Sequence, residues 1–596
     1  MRRVTQQQRS ITRRAFFLGG LQLAFTSTLV ARLYYLQFIK AETYSTLAED
    51  NRINLQLMAP LRGKILDHRG KPLAENKLYY QVLLTKGEKL QTQKTLGTLT
   101  KLLELPDITL RRIDQELRGL PQGRTVLVKE YLTWDEVSKI EFYIPELPGA
   151  AIAEAFMRHY PMEEKASHLV GYVGAVSPDE KDQQPLYHVP GFKVGKSGME
   201  KMLEDQIRGA PGVRHLEMNA HGVPIREVKR DDPKPGKDIQ TTIDRRLQRF
   251  ATERYKEESG AAIVIHVNTG EIRALVSTPA FDPNSFSRGI TSVYWKELNA
   301  NEKNPLLNKA ITGQYPPGST FKCMMAAAAL QEGAANAYTS VYCPGHFYLG
   351  NHRFNCWKPE GHGNVTVIDA LAESCDTFFY TMARKMGINT MAKYGRMFGF
   401  GDRTGIGLLG EKTGIMPSEE WKEQTYAQKW QPGDTISCGI GQGYVISTPL
   451  QLAVMTARLA SGKMVSPRLQ PLEKDTEIPA LDISQDALKL VREGMIETVN
   501  TGRGTAYGSR ITDEGFSMAG KTGTSQVRKI VVRGLNQNLL PWNQRHHALF
   551  VGFGPIDVPE YAIAVLVEHG GGGASAAAPV AKDILLKTMQ FAKEDA

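Results

Sequence analysis

Residues 316–322 read P-P-G-S-T-F-K, and the two that can do chemistry, Ser319 and Lys322, stand three apart at what the sequence predicts to be a helix start. The F-K-C-M-M-A-A-A-A-L-Q-E-G that follows is rich in strong helix formers, and Gly333 is a natural stop. Residues three apart share a helix face, which puts the Lys322 amine beside the Ser319 hydroxyl. Serine is a weak nucleophile until a base takes its proton, and an amine made neutral by partial burial is such a base. On its own S-x-x-K says little, since average composition produces one roughly every few hundred residues. Two further short motifs follow in the chain: Ser374-Cys375-Asp376, then Lys521-Thr522-Gly523-Thr524. K-T-G arises by chance only about once in several thousand residues. A second chemical cluster overlaps the middle motif: Cys343, Cys356, His362 and Cys375 lie close together in the chain. Three thiolates and one imidazole satisfy a closed tetrahedral zinc site, although the spacings are longer than a zinc finger's. A disulfide and buried free thiols stay open, as does His346 or His352 in place of His362. Cys323 and Cys438 read as small buried residues.

Widely separated motifs need a fold to bring them together. A-A-I-V-I-H-V (261–267) and E-I-R-A-L-V-S (271–277), joined by Asn268-Thr269-Gly270, read as a β-hairpin. Segments 516–527, 548–554 and 561–568 read as three more strands, and 579–591 as an amphipathic closing helix. Strands at both ends with an Ala-rich helical region between predict an α+β unit whose antiparallel sheet joins its N- and C-terminal segments. Upstream, Lys64–Asp67, the turn at His68-Arg69-Gly70 and Y-Y-Q-V-L-L predict another hairpin, and 85–150 reads as a scaffold of helical pieces and loops. Met199, Met202, Leu203 and Ile207 fall at helical spacing, while His159 and His168 read as packing or capping residues. V-K-R-D-D-P-K-P-G-K-D (228–238) carries the signature of a linker, which places a domain boundary there.

The 596 residues, 41% of them apolar, are enough for several domains. The net charge is +10, but five arginines before residue 15 supply half of it, and no basic run with interleaved aromatics marks a nucleic-acid surface. Residues 15–39 form an apolar stretch long enough to span a bilayer once. The basic, acid-free segment before it predicts a cytoplasmic N-terminus with the bulk of the chain outside. The absence of a convincing small-residue cleavage site favours an uncleaved anchor. Thr12-Arg13-Arg14-Ala15-Phe16-Phe17-Leu18 also resembles a twin-arginine export signal, against the plainer reading of positive-inside arginines. Glu42–Gln56 reads as a juxtamembrane helix, and 525–547 as a basic loop that either borders the groove or is simply solvated.

S-x-x-K, then S-x-N or S-x-D, then K-T-G is the ordered signature of penicillin-binding proteins and serine β-lactamases. The whole chain resembles class B penicillin-binding proteins, and among them the elongation type. The likeness extends to R-G-K-I-L-D-H-R-G-K-P-L-A, G-K-S-G-M-E-K-M-L-E, T-T-I-D (241–244), S-T-P-A-F-D-P-N (277–284), G-I-G-Q-G-Y (439–444) and T-P-L-Q (448–451). The resemblance implies a cytoplasmic tail (1–14), a transmembrane anchor (15–39), an elongated mixed α/β pedestal of dimerisation type (40–235) and a C-terminal transpeptidase domain (236–596). That domain would be serine β-lactamase-like, an antiparallel sheet flanked by helices. It implies a peptidoglycan D,D-transpeptidase acting in cell elongation and rod-shape maintenance, with Ser319 as nucleophile, Lys322 as its base, and Ser374 relaying protons between Lys322, Lys521 and the leaving amine. Asp376 would hold substrate amides or the neighbouring loop, and Lys521, Thr522 and Thr524 the terminal carboxylate. Gly523 would permit close approach to substrate, and the backbone N–H groups of Ser319 and Thr524 would meet the oxyanion. Asp376 stands where most relatives have Asn, which favours the elongation type over the division type. β-Lactams are the implied inhibitors, and zinc a structural metal with no cofactor for catalysis. A polytopic glycosyltransferase of the shape, elongation, division and sporulation class and other elongation-complex proteins are the implied partners. The location would be the inner membrane, with the catalytic domain in the periplasm. A division-type transpeptidase and a β-lactam-binding sensor or scaffold are the alternatives. The large pedestal and retained anchor argue against a β-lactamase or a D,D-carboxypeptidase.

Overall fold

The computed structural model describes residues 2–40, 53–189, 191–218, 224–473, 476–527 and 537–595. Within these residues the chain forms two compact units, each assembled from separated segments. The first comprises residues 1–60, 78–156 and 210–234. Its N-terminus is a helix, Arg2–Tyr34, continued by a π-helical turn, Tyr35–Ile39, and Ala15–Ile39 is long and apolar enough to cross a membrane. Thr125–Lys129 pairs antiparallel with Val82–Thr85, and helices Lys89–Leu103, Asp107–Gly119 and Trp134–Tyr143 close a small core around Leu84, Leu99, Ile113, Val126 and Ile140. The last helix starts in a capping box, Thr133 bonding the Glu136 amide and Glu136 the Thr133 amide.

Two expectations fail here. Residues 42–52 of the predicted juxtamembrane helix lie outside the described residues, but Ile53–Met58 is a strand, paired antiparallel with Gly212–Met218. Its I-N-L-Q-L-M alternates at period two, a strand rhythm. Val228–Asp231 of the predicted linker ends a third strand, Pro224–Asp231, in the same sheet. Its charges suit a solvent-facing strand and pair with one another across and along the sheet, as in Arg226–Glu217 at 2.7 Å.

The second unit comprises residues 61–77, 157–209 and 235–596. Ile65–Leu66 turns back at the predicted turn, Asp67 Oδ1 accepting the amides of Arg69 and Lys71, but the turn closes so tightly that the antiparallel partner is Pro72–Ala74; of the predicted partner Y-Y-Q-V-L-L, Val82–Leu84 pairs with Val126–Lys129 instead. Two of the sequence motifs meet in one buried network. Arg62 and Arg158 each donate from Nε to a carboxylate oxygen of the fully buried Glu200 at 2.6 Å, and Arg62 also reaches Glu204 at 2.6 Å. The two guanidiniums hold Glu200 below the usual carboxylate range although burial acts the other way.

Behind this network stands the predicted five-stranded antiparallel sheet. Its strands are β1 (Gly260–His266), β2 (Ile272–Thr278), β3 (Ala519–Ser525), β4 (His547–Gly554) and β5 (Tyr561–Val567), in the order β2-β1-β5-β4-β3. The strands are buried almost without interruption because both faces are covered. Ala262, Val264, Phe550, Ile563 and Val565 face α1 (Arg245–Tyr255) and the closing helix α2 (Ala578–Asp595). Their neighbours Ile263, Ile265, Val551, Ala564 and Leu566 face the helical region between. The alternation of strand residues divides the two cores. T-T-I-D ends in the N-cap of α1, Asp244 accepting the amides of Arg246 and Leu247. Within S-T-P-A-F-D-P-N, Asp282 caps a short helix and Asn284 bonds the Tyr160 backbone through both its amide atoms, at 3.0 and 3.1 Å.

Candidate active site

Strand β3 is one edge of the sheet, and the nucleophile's segment packs along it. Pro316-Pro317 leads into one 3₁₀ turn, Gly318–Phe321, which continues as an α-helix, Lys322–Gln331. Gly318 has φ +53, and a Cβ there would lie 2.5 Å from the Thr524 carbonyl oxygen. Only glycine lets the turn carrying Ser319 approach the K-T-G-T strand this closely. A Cβ on Gly523 would meet Thr320 Cγ2 at 2.8 Å and the Pro317 oxygen at 3.2 Å, so the close approach that Gly523 permits in the structure is to the nucleophile's own segment. The G-I-G-Q-G-Y loop braces the same place: Gly318 N donates to Gly441 O at 2.9 Å, and Gln442 Nε2 to Thr524 O at 3.2 Å.

Ser374 sits in the sharp turn between the helices Val367–Ala372 and Asp376–Met397, the latter broken at Gly387. Its φ of +57 is unusual for a residue with a side chain and costs on the order of 1–3 kcal/mol, strain of the kind that gathers at functional sites. The turn delivers three groups to Lys322. Its Nζ lies 2.7 Å from Asp376 Oδ1, 2.9 Å from the Ser374 carbonyl and 3.2 Å from Ser374 Oγ. Of the two roles the resemblance left open for Asp376, contacts here match the loop: its other oxygen accepts the Trp357 amide at 2.8 Å.

Lys521 is wholly buried, and its pKa is pushed down to about 7, by burial first and by the neighbouring Lys322 charge second. Thr522 Oγ1 shares a hydrogen bond of 2.7 Å with Thr505 Oγ1, and the Thr505 amide donates to Ala372 O, tying the K-T-G-T strand to the helix before Ser374. Ser319 is half-buried beside this group. The fold thus gathers Ser319, Lys322, Ser374, Asp376 and Lys521–Thr524 into one region. Gln442, Thr505 and Trp357 join them without having been predicted. The first stands in a motif that carried the family likeness, and the other two had no sequence signal, being defined only by contacts across the fold. Of the basic loop, residues 528–536 lie outside the described residues.

The cysteine cluster forms one wall of the same turn. All five cysteines are free and buried. The Sγ atoms of Cys343, Cys356 and Cys375 and a ring nitrogen of His362 lie within 4.8 Å of one another. His362 Nδ1 is 3.5 Å from both Cys343 Sγ and Cys356 Sγ. A tetrahedral zinc with ordinary Zn–S and Zn–N bonds sets that edge at about 3.5 Å, so these donors fit the metal. Cys356 is held below the ordinary thiol range chiefly by its hydrogen bond with Cys375; on Cys343 burial pushes upward and is outweighed by hydrogen bonds with Thr377 and His362. His346 and His352 stand apart, in a separate β-hairpin ladder.

A serine on a helix start, two buried lysines and a sheet-edge strand that can pair with an extended peptide define a serine acyl-transferase of the penicillin-recognising class. The sequence matches the penicillin binding protein transpeptidase domain over residues 260–586 and the penicillin-binding protein dimerisation domain over residues 57–241. It is 37% identical to the peptidoglycan D,D-transpeptidase MrdA of Acinetobacter baumannii over 97% of this chain and 88% of that one. The fold is similar to that of PBP2 in a complex with MreC from Helicobacter pylori (TM-score 0.82, 29% identity, 90% of this chain and 99% of that one). It is also similar to a chain of a peptidoglycan synthase complex that coordinates polymerization and crosslinking (TM-score 0.70, 28% identity, 95% and 97%). The chain belongs to the class B penicillin-binding proteins, in the elongation-type branch of peptidoglycan D,D-transpeptidases.

Proposed function

We propose that crosslinking proceeds through an acyl-enzyme on Ser319. Ser319 Oγ attacks the carbonyl between the two D-Ala residues of a stem peptide while Lys322 takes its proton. In the resting geometry Lys322 Nζ has three acceptors, as many as an ammonium has N–H groups, so accepting a proton requires one to be given up. The longest, to Ser374 Oγ, is the natural exit, and Ser374 relays the proton to the departing amine. Lys521, which loses its proton near neutrality, is the second reservoir. Thr522 and Thr524 hold the terminal carboxylate with Lys521, and the Ser319 and Thr524 amides meet the oxyanion. The amine of a second stem then displaces Ser319. A β-lactam enters as the donor does and stays as the ester.

The reading rests on one observation above all: the distant Lys322, Ser374, Asp376 and Lys521 converge beside Ser319 in one buried cluster. Ser319→Ala abolishes labelling by fluorescent penicillin and crosslinking of stem peptides by the purified protein with a glycosyltransferase. Persistent labelling would displace Ser319, and labelling without crosslinks in the wild type would turn the protein into a sensor.

Residues 40–235 act as the pedestal and 236–596 as the catalytic domain. The five arginines before Ala15 keep the N-terminus cytoplasmic, so the catalytic unit lies in the periplasm. The relatives seen with MreC and in a synthase complex support contact with elongation proteins and a polytopic glycosyltransferase. Cys343, Cys356, His362 and Cys375 hold a structural zinc that fixes the turn carrying Ser374. Elemental analysis finds one zinc per chain, and Cys356→Ser removes it, with a lower melting temperature; a metal-free wild type would overturn the assignment.

A further inference from the structure

At the opposite edge of the sheet from β3, beside β2, lies a cavity of about 340 Å³. Four strand spacings separate the two edges, roughly 19 Å. The cavity is at the lower end of the range of about 300–1,000 Å³ typical of small-molecule sites. Its wall is a cluster of aromatic rings packed at an angle to one another. Tyr172 lies 4.6 Å from Phe286 by ring centroids, Phe281 4.8 Å from Phe286, and Trp295 stands edge-on to Phe286 at 6.4 Å. Trp295 keeps 46% of its surface exposed, so part of this platform is open to solvent.

Two residues of the lining, Ser197 and Asn308, each carry a buried polar atom, Oγ and Oδ1, without a hydrogen-bond partner among the described residues. Buried polar atoms are nearly always paired, and these two belong to a concave aromatic site, the setting in which a ligand supplies the partner. The Asn308 amide nitrogen is used already, donating to His168 O at 3.3 Å, which leaves its oxygen as a fixed acceptor. Among the described residues no charged side chain lines the cavity. His168 bonds Pro305 O through Nε2 at 2.9 Å and is neutral, its pKa pushed down to about 3 by burial and the nearby Lys309.

A ligand for this site is neutral, has an amphipathic ring to lie on aromatic faces, an N–H for Asn308 and an acceptor for the Ser197 hydroxyl. An acetamido sugar offers all of these: its amide N–H and carbonyl meet the two unpaired atoms, and its methyl and ring C–H groups cover the rings. We propose that the cavity bounded by Tyr172, Phe286, Trp295, Ser197 and Asn308 is a binding site for the acetamido sugars of the glycan strand, separate from the centre that handles the stem peptide. The site then holds the polymer backbone of the substrate while its peptide reaches β3. This inference does not depend on Ser319.

The test is titration of the full-length protein in detergent with tri-N-acetylchitotriose, read by calorimetry and saturation-transfer NMR. Maltotriose, which lacks the acetamido group, is the control. Saturable binding is expected for chitotriose, weakened about tenfold or more for maltotriose and in Trp295→Ala and Ser197→Ala. Penicillin labelling stays at the wild-type rate in both variants, which shows that they are folded and reads Ser319 separately. No saturable binding, equal binding of the two sugars, or undiminished binding in both variants overturns the proposal.

Discussion

Two buried charge clusters lie in the same folded unit and follow opposite rules. Around Glu200, two arginines meet two carboxylates: Arg62 and Arg158 share Glu200, and Arg62 also takes Glu204. Around Asp376, two wholly buried lysines have one carboxylate between them, and Lys322 takes it at 2.7 Å. Burying charge is costly, and matched partners at hydrogen-bond distance offset the cost. The balanced cluster can therefore hold segments 62, 158 and 200–204 together and carry no reaction. The unbalanced one keeps a surplus of positive charge beside Ser319, where the proposed mechanism docks a peptide carboxylate and forms a negatively charged intermediate. In the second cluster some stability is given up for electrostatic preorganisation.

The comparison breaks first at the balanced cluster. Glu200→Ala leaves two guanidiniums facing Glu204 alone, and denaturant unfolding is expected to show a loss of about 3–5 kcal/mol. If the loss is small, the network is not what holds these segments. At the unbalanced cluster the sign reverses. Lys521→Met removes a buried cation with no carboxylate of its own, ends acylation by penicillin, and stabilises the fold by about 1–4 kcal/mol at pH 6. That gain depends on pH. The unfolded chain keeps the Lys521 proton up to roughly pH 10.4, whereas the folded protein loses it near pH 7. Below about 7 both states are protonated and the full burial penalty is present. Between about 7 and 10 the unfolded state binds more protons, so wild-type stability rises and the advantage of Lys521→Met fades. Melting curves of the pair at pH 6 and pH 9 check this, and a constant difference would mean that Lys521 is not the group titrating. A smaller effect is expected at the strand edge: Gly318→Ala forces a Cβ against the Thr524 oxygen at positive φ, costs about 1–2 kcal/mol, and slows acylation while leaving Glu200's network untouched.

Much of this was legible in the residues. Most of the sheet strands were visible because they are largely apolar runs with β-branched residues, as covering both faces demands, whereas β3 reads A-G-K-T-G-T-S and stood out by its motif. Ile53–Met58 was missed because its first four residues fall at the end of the stretch 42–56 read as a juxtamembrane helix, and so short an alternation does not stand out there. Val228–Asp231 was missed because prolines and charges mimic a linker when the strand they end is exposed.

At the site, the sequence alone singled out Ser319, Lys322, Ser374, Asp376 and Lys521 as candidates, and Cys343, Cys356, His362 and Cys375 as a second cluster, because nucleophiles, bases and ligands are few in kind and their order along the chain is distinctive. What it left open was how they are used. Asp376 turns to Lys322 and Trp357, Gly523 makes room for Thr320, Thr505 braces Thr522, and His362 rather than His346 or His352 faces the sulfurs. These contacts join residues at very unequal separations, 6 for His362 and Cys356, 17 for Thr505 and Thr522 and 54 for Lys322 and Asp376. Distance along a chain carries no record of distance in space, so only the packed tertiary structure could decide them.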